Sequence, residues 1–196
     1  MLKSFLKKGQ VLVDAFCGVG PLSIRSAKNG LIVYANDLNP DCYFHLKKNV
    51  ILNKIKNNFS AFNMDAREFI KGMFDASEKF PNEDKNFDFI FPKNIKIDHI
   101  YMNLPKDAIE FLDVYSEIIS TSNNIYTKDN LPIIHVYGFS NSADAKQELL
   151  DRCAEAMKIK EFPINCLIDF TNVRDVSPKK YMFSISFKLP PEVAFK

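Results

Sequence analysis

The sequence predicts a doubly wound α/β fold, with a mostly parallel seven-stranded sheet and a terminal antiparallel hairpin. Two observations support this prediction. Short apolar runs alternate with amphipathic segments along most of the chain, and the last two apolar runs have no helical segment between them. The 196 residues, 46% of them hydrophobic, are enough for one domain with a sizeable core, which we place over residues 1–196.

The strands are predicted from apolar runs rich in β-branched and aromatic residues. In chain order they are 11–16, 31–37, 59–65, 97–105, 131–139, 164–176 and 179–190. The helices are predicted over 21–30, 40–54, 106–119 and 141–157, with a short one beginning at Ala66. Pro21 and Pro40 suit the first turn of their helices, and Gly30 suits a helix end. The last long helix is expected to be capped by Asn141 or Ser142.

One stretch, residues 71–96, interrupts this alternation. It combines glycine and proline with many Asn, Lys, Asp and Phe residues. This composition predicts a loop-rich insertion within the domain rather than a linker between two domains. We expect its phenylalanines to hold it against the surface, and we expect the fold to form without it.

Composition limits the class of protein. The net charge of +2 permits binding to nucleic acid but does not argue for it. No two of the four cysteines have the two-residue spacing of a zinc or redox motif, which favours reduced thiols in an intracellular protein. No apolar run approaches the roughly 20 residues that span a bilayer. The three histidines are not spaced as metal ligands, so no metal site is predicted.

A glycine-rich turn follows the first predicted strand, in the segment from Asp14 to Gly20. Ligands of doubly wound sheets bind at the carboxyl ends of the strands. Gly18 and Gly20 would let the backbone approach a ligand, and the next helix would direct free N–H groups at an anion. Ser23 stands where a dinucleotide-binding turn has its third glycine, so the NAD fingerprint is incomplete. Taken alone, the turn fits equally well a tight connection without a ligand.

Three further strand ends carry Asp37, Asp65 and Asn103. Asp37 lies 19 residues after Gly18, the spacing of an acceptor for ribose hydroxyls, although it could also cap the next helix. Asp65 can accept a hydrogen bond from an exocyclic amine such as that of adenine and cap a helix as well. The amide of Asn103 suits the edge of a base, or a turn before a proline. Four such ends in succession favour a nucleoside-cofactor site over four unrelated turns.

Five segments together resemble the catalytic domain of the Trm5-type tRNA (guanine-37-N1) methyltransferases. They are DAFCGVGPLS, NDLNP, NMDAREF, MNLPKDAIEFL and VRDVSPKKYMFSISFKLP. The fourth segment and the VRDVSP stretch are specific, whereas many methyltransferases share the first. The resemblance covers nearly the whole chain, except the first residues and the insertion. It implies a Rossmann-like class I methyltransferase fold and transfer of a methyl group from S-adenosylmethionine to N1 of guanosine 37 in tRNA, next to the anticodon.

The resemblance also implies roles for the residues at the strand ends. Gly18 and Gly20 would hold the methionine end of the cofactor, and Asp37 would hold the ribose. Asp65 would hold the adenine, and Asn103, the catalytic candidate, would face the target guanine. The cofactor-binding candidates are Asp14, Phe16, Gly18, Gly20, Asp37, Leu38, Asp65, Ala66 and Asn103. The candidates for contact with tRNA are Pro105, Arg174 and Lys179.

Methylation at guanine N1 also requires a general base, because this nitrogen carries a proton at neutral pH. In the family, the proposed glutamate base and a nearby arginine lie upstream of this core, together with a tRNA-recognition domain. This chain begins ten residues before its first predicted strand, so we expect it to be part of a longer protein and to lack that region. Asp107 and Glu110 are the alternative bases within the chain, although we expect Glu110 to face away or to pack structurally.

The basic residues have two interpretations each. Arg174, with Lys179 and Lys180, could meet tRNA phosphates or form a solvated face of the hairpin, and the resemblance favours RNA. The other lysines noted are interpreted as ordinary surface charge: Lys7, Lys8, Lys47, Lys48, Lys54 and Lys56.

Three functions remain open at this point. Guanosine N1 methylation leads. The related wybutosine enzymes transfer the aminocarboxypropyl group of the same cofactor, but Pro21, where they usually carry an aromatic residue, favours methyl transfer. The third function is a catalytically silent module that binds RNA or a dinucleotide. We expect a monomer in the cytoplasm, with the mitochondrial matrix and the nucleus as further compartments.

Overall fold

The strands form one seven-stranded sheet. A computed structural model describes residues 6–75, 95–119, 125–177 and 180–195. The strands are β1 (Val11–Asp14), β2 (Ile32–Asn36), β3 (Phe59–Phe62), β4 (His99–Met102), β5 (Ile133–Ser140), β6 (Leu167–Ser177) and β7 (Lys180–Lys188). Their order is β3-β2-β1-β4-β5-β7-β6. β2 pairs in parallel with β1 and β3, whereas β7 pairs antiparallel with both β5 and β6, which confirms the predicted terminal hairpin.

Helical segments connect the successive strands from β1 to β6, as the alternating pattern predicts, and one further short helix follows β7. The α-helices are α1 (Pro21–Lys28), α2 (Pro40–Leu52), α3 (Ala66–Phe74), α4 (Ala145–Ala156) and α5 (Pro191–Ala194). Two short 3-10 helices cover Glu110–Tyr115 and Ile164–Cys166. No helix in the described part of the chain is long and apolar enough to cross a membrane. By its contacts the chain divides into two compact units, residues 1–99 and 100–196.

In the first unit, the register of the parallel strands brings three strand ends together. Asp14, the last residue of β1, lies opposite Ala35 of β2, and Asn36 lies opposite Phe62 of β3. All four residues of β1 are buried, and Phe62 packs against Phe69 of α3 with ring centroids 5.0 Å apart. The buried β1 and the inward-facing residues of β2 and β3 therefore anchor the turns that follow these strands at one edge of the sheet.

The turn after β1 needs glycine at Gly20 for two reasons. Its φ of +86° lies in the left-handed region that favours glycine, and an added Cβ would collide with the side chain of Leu46 in α2. α1 begins directly after it with Pro21 at the first position, as the sequence predicts.

In the second unit, β5 and β7 form the buried centre of the antiparallel part. Ile134, Val136, Ile185 and Phe187 are fully buried on these strands. An added Cβ at Gly138 would lie 2.7 Å from Cδ1 of Ile109, so the glycine allows that side chain to pack directly on β5.

The amphipathic α-helix predicted over 106–119 is wrong. The structure has only a 3-10 helix there, Glu110–Tyr115, preceded by turns. Ile109, just before this helix, and Leu112 and Tyr115 within it are buried and three apart, a spacing that matches the three-residue turn of a 3-10 helix. The Leu112 N–H accordingly donates to the Ile109 carbonyl at 3.0 Å.

The start of the predicted insertion also differs from the prediction. α3 continues to Phe74, inside the predicted insertion, because Met73 and Phe74 extend its buried apolar face. The rest of the insertion, 76–94, lies outside the described residues.

The predicted cap of α4 is also wrong. Asp144 caps this helix, and its Oδ1 accepts from the Gln147 N–H at 3.0 Å. Ser142, one of the two predicted caps, instead accepts through Oγ from the Asp144 N–H at 3.2 Å. The cap therefore lies two to three residues later in the chain, and the residues before it form a turn.

Candidate functional site

Asp37 fastens the glycine turn to the end of the second strand. The Gly18 N–H donates to Asp37 Oδ2 at 2.8 Å, and the Asn39 N–H donates to Oδ1 at 2.9 Å. Asn39, not Asp37, caps α2, since its side chain accepts from the Asp41 N–H. A carboxylate oxygen has more than one acceptor position, so Asp37 retains capacity for the two hydroxyls of a ribose.

Asp14 lies behind the turn as a buried carboxylate with 1% of its surface exposed. The Ser23 hydroxyl donates to its Oδ2 at 2.5 Å. Within the described residues, its Oδ1 is buried and has no hydrogen-bond partner. Burial raises the pKa of Asp14 to about 7, against the lowering effect of the hydrogen bonds from Ser23 and the Phe16 backbone. Both protonation states are therefore populated near neutral pH, and a cation nearby would favour the ionised one.

Cys17, between these two carboxylates, is an inert thiol. Burial raises its pKa well above the usual range, and the negative charges of Asp14 and Asp37 raise it further. A neutral buried thiol is a poor nucleophile, so the turn offers no covalent chemistry.

Sequence reasoning missed Asn36, which ties two strand ends together. Its Nδ2 donates to the Ala15 carbonyl at 3.3 Å and to the Met64 carbonyl at 3.0 Å, and its Oδ1 accepts from the Met64 N–H at 3.1 Å. Nearby, Asn63 Nδ2 donates to the Asp37 carbonyl at 2.7 Å. The available signal was a polar residue inside an apolar strand, immediately before an acidic candidate. These amides set the spacing between the turns that follow β1, β2 and β3.

Asp65 performs the capping role that the sequence predicts. Its Oδ1 accepts from the backbone N–H groups of Arg67 at 2.8 Å and Glu68 at 3.4 Å, at the start of α3. Ala66, the next candidate, is buried. Leu38, by contrast, exposes 68% of its side chain and Val19 exposes 45%, so apolar surface borders the turns on the solvent side.

The predicted substrate-side residues lie in the second unit. Asn103 is exposed and follows β4, and the N–H groups of Asp107 and Ala108 both donate to the Leu104 carbonyl, which closes a turn there. Glu110, one alternative base, accepts from Arg152 at 3.0 Å in an ion pair, as its predicted structural role requires.

The remaining tRNA candidates differ in what the structure describes. Pro105 is half-buried in the turn after β4, and Arg174 is exposed on β6, whereas Lys179 lies outside the described residues. Among the described residues, no group of three or more His, Cys, Asp or Glu side chains is arranged to hold a metal ion. All four cysteines are free thiols in the structure.

Comparison with known proteins decides the family. Residues 1–90 match the TRM5/TYW2 methyltransferase domain. The tRNA (guanine(37)-N(1))-methyltransferase of Phytophthora infestans is 36% identical over 190 residues, covering 97% of this chain. The chain belongs to the TRM5/TYW2 methyltransferase family. It spans 40% of the length of this relative.

Solved structures of the TRM5/TYW2 methyltransferase family agree with this assignment. Trm5b from Pyrococcus abyssi matches with a TM-score of 0.66 and 28% identity, over 96% of this chain and 47% of that one. Methanocaldococcus jannaschii Trm5, in complex with adenosine, matches with a TM-score of 0.62 and 25% identity, over 100% of this chain and 46% of that one. The predicted Rossmann-like fold and the predicted resemblance are both confirmed.

The first unit of this TRM5/TYW2 methyltransferase domain fits a cationic nucleoside cofactor. Asp37 retains acceptor capacity at the end of β2, and the exposed side chain of Leu38 could cover one face of an adenine ring. The unpartnered buried oxygen of Asp14, at the base of the turn, would favour a positive charge nearby. Gly18 adds room, because a Cβ built there would have no heavy atom within 4 Å.

Proposed function

We propose that this domain transfers a methyl group from S-adenosylmethionine to N1 of guanosine 37 in tRNA. The observation that carries the proposal is the relative named for this reaction, which aligns with 97% of the chain. The strand-end carboxylates of the first unit and the adenosine bound to a solved relative support the choice of cofactor.

The proposed division of work follows the geometry of the strand ends. The cofactor supplies an electrophilic methyl group on a sulfonium. Asp37 accepts from the ribose hydroxyls while its bond to the Gly18 N–H keeps the turn in place. Asp14 stabilises the cationic portion from behind the turn, and Asp65 borders the adenine while it caps α3. Such positioning supplies much of the rate of a direct displacement.

The substrate side depends on Asn103 and on a base from elsewhere. The exposed amide of Asn103 donates and accepts at once, which suits the edge of a guanine. Removal of the N1 proton needs a base, and Glu110 is already paired with Arg152. We therefore propose that the base lies outside these 196 residues. The proposed partner is tRNA, and the proposed compartment is the cytoplasm.

Analysis of the reaction product tests the proposal. A tRNA transcript with guanosine at position 37 is incubated with excess domain and S-adenosylmethionine, digested to nucleosides and examined by mass spectrometry. We expect 1-methylguanosine, which disappears when position 37 carries adenosine. A nucleoside that has gained an aminocarboxypropyl group, or methylation elsewhere in the tRNA, would contradict the proposed reaction.

A further inference from the structure

We infer that a groove between α1 and α2 binds the phosphate backbone of RNA; this inference rests on the proposed function. We call it the basic groove and define it by Arg25, Lys28, Asn29, Asn49 and Asn53. It encloses about 600 Å³, and one end opens on the glycine turn at Gly20.

Besides the apolar Val19, Pro21 and Ile24, the basic groove is lined by polar side chains that hydrogen bonds hold in place. Asn49 Nδ2 donates to the Val19 carbonyl at 2.9 Å, and Asn53 Nδ2 donates to the Asn49 carbonyl at 2.9 Å. Lys28 Nζ lies 3.3 Å from Asn53 Oδ1, so it reaches across from α1 to α2. Among the described residues that line the groove, none is acidic. Cationic and amide groups donate hydrogen bonds to phosphate oxygens, and the described lining has no carboxylate that would repel a phosphate.

More positive charge gathers at the far end of the groove. Asn58 Nδ2 donates to the carbonyls of Ala27 at 2.8 Å and Leu31 at 2.6 Å. These bonds fix the loop after α2 against the end of α1, and they bring the exposed Lys54 and Lys56 to that end. The sequence alone interprets these lysines as ordinary surface charge, whereas in the structure Lys54 directly follows Asn53, which lines the groove.

Lys7 and Lys8, near the N-terminus, lie close to the C-terminal end of α1. The Gly9 N–H donates to the Gly30 carbonyl at 2.9 Å, directly after α1. A Cβ built on Gly30 would lie 2.7 Å from Lys8 Cγ, so the stem of Lys8 runs along this helix end. Lys7 and Lys8 are both exposed there.

Positive charge is also concentrated in the part of the sequence that forms α1 and α2. Residues 21–58 contain six Lys or Arg residues and two Asp residues, an excess of four positive charges. The whole chain has a net charge of +2, so the rest of it is net negative. A polyanion is therefore attracted to the α1–α2 surface in particular.

The position of the groove suits an RNA strand beside the reacting base. α1 has eight residues, a length of about 12 Å, and the groove follows it away from the glycine turn. In the proposed function that turn holds the methionine end of the cofactor. Nucleotides adjoining the target would thus lay their phosphates along Arg25 and Lys28.

A pair of charge reversals tests the inference. The variant Arg25→Glu/Lys28→Glu is compared with the control Lys146→Glu/Lys160→Glu, which makes the same change in net charge on exposed lysines of the second unit. Dissociation constants for a tRNA transcript with guanosine 37 are measured by filter binding at several salt concentrations. We expect the groove variant to bind at least about tenfold more weakly at low salt, with a salt slope reduced by roughly 1 to 2. The control should resemble the parent, and all three should bind S-adenosylmethionine equally.

Three outcomes would overturn the inference. They are unchanged tRNA affinity and slope in the groove variant, an equal loss in the control, and a parent chain that binds no tRNA. Unchanged affinity would leave the groove to a protein segment instead. If the groove variant does not fold by circular dichroism, Arg25→Ala/Lys28→Ala replaces it in the same comparison. None of these results bears on the reacting nucleotide, which the product analysis determines separately.

Discussion

At the scale of single residues, the most perturbed carboxylate of the first unit is Asp14, whose pKa burial raises to about 7. The Ser23 hydroxyl satisfies one carboxylate oxygen, while the other is buried without a partner in the described structure. In the sequence, Ser23 stands out only because it occupies the position of the third glycine of a dinucleotide turn. The structure shows why a hydroxyl is useful there, since it lowers the pKa that burial raises.

Replacement of Asp14 by Asn should make the protein more stable in a pH-dependent way. The folded pKa of about 7 exceeds the ordinary value of 3.8, so between these values the folded protein holds a proton that the unfolded chain has lost. This group therefore lowers the free energy of unfolding as pH rises from about 4 to about 7. Asn has no such titration, so the advantage of Asp14→Asn should grow over that range to on the order of 2–4 kcal/mol and then level off.

Urea unfolding of parent and Asp14→Asn at pH 5, 6, 7 and 8 measures this difference. Asp41→Asn, at an exposed position on α2, serves as the control and should show no such trend. Parallel pH profiles for the parent and Asp14→Asn would show that Asp14 is not buried as a titrating carboxyl.

At the scale of elements, residues 76–94 remain predicted from composition alone. We expect a variant in which a short glycine–serine linker replaces them to fold and to melt within a few degrees of the parent. The reason is that changes in loop length cost little entropy, about 0.6 kcal/mol for each doubling. Thermal unfolding by circular dichroism is the measurement. A large fall in melting temperature would mean that the phenylalanines of this stretch belong to the core.

The elements also show where a sequence is informative and where it is not. The strands of the first unit are predictable, because β1 begins with the buried apolar run VLV and β2 carries the run IVYA before its terminal Asn36. The 3-10 helix Glu110–Tyr115 was predicted as an α-helix, since apolar residues three apart satisfy both patterns over so short a segment. Asn36 was missed because its partners, Ala15 and Met64, are distant in the chain. Pairings of this kind depend on register, which one sequence does not display.

At the scale of the whole molecule, this domain is expected to bind cofactor but to methylate tRNA poorly by itself. Glu110 is paired with Arg152, and the proposed base lies outside this chain; loss of general-base help costs about 10²–10⁴ in rate. Single-turnover methyl transfer to a guanosine-37 tRNA compares this chain with the full-length Phytophthora infestans relative. Equal rates would place the base within these 196 residues, with Asp107 as the first candidate.

The proposed function depends most on the cofactor site at the ends of β1 and β2, and a calorimetric titration of S-adenosylmethionine tests that site most directly. The parent should bind the cofactor and should not bind NAD. Asp37→Ala should bind at least about tenfold more weakly, because each hydrogen bond to a charged group contributes about 1.5–3 kcal/mol. Asp41→Ala, which removes an equal charge from the exposed start of α2, should bind like the parent. A folded Asp37→Ala protein that binds S-adenosylmethionine as tightly as the parent would contradict the proposed cofactor site.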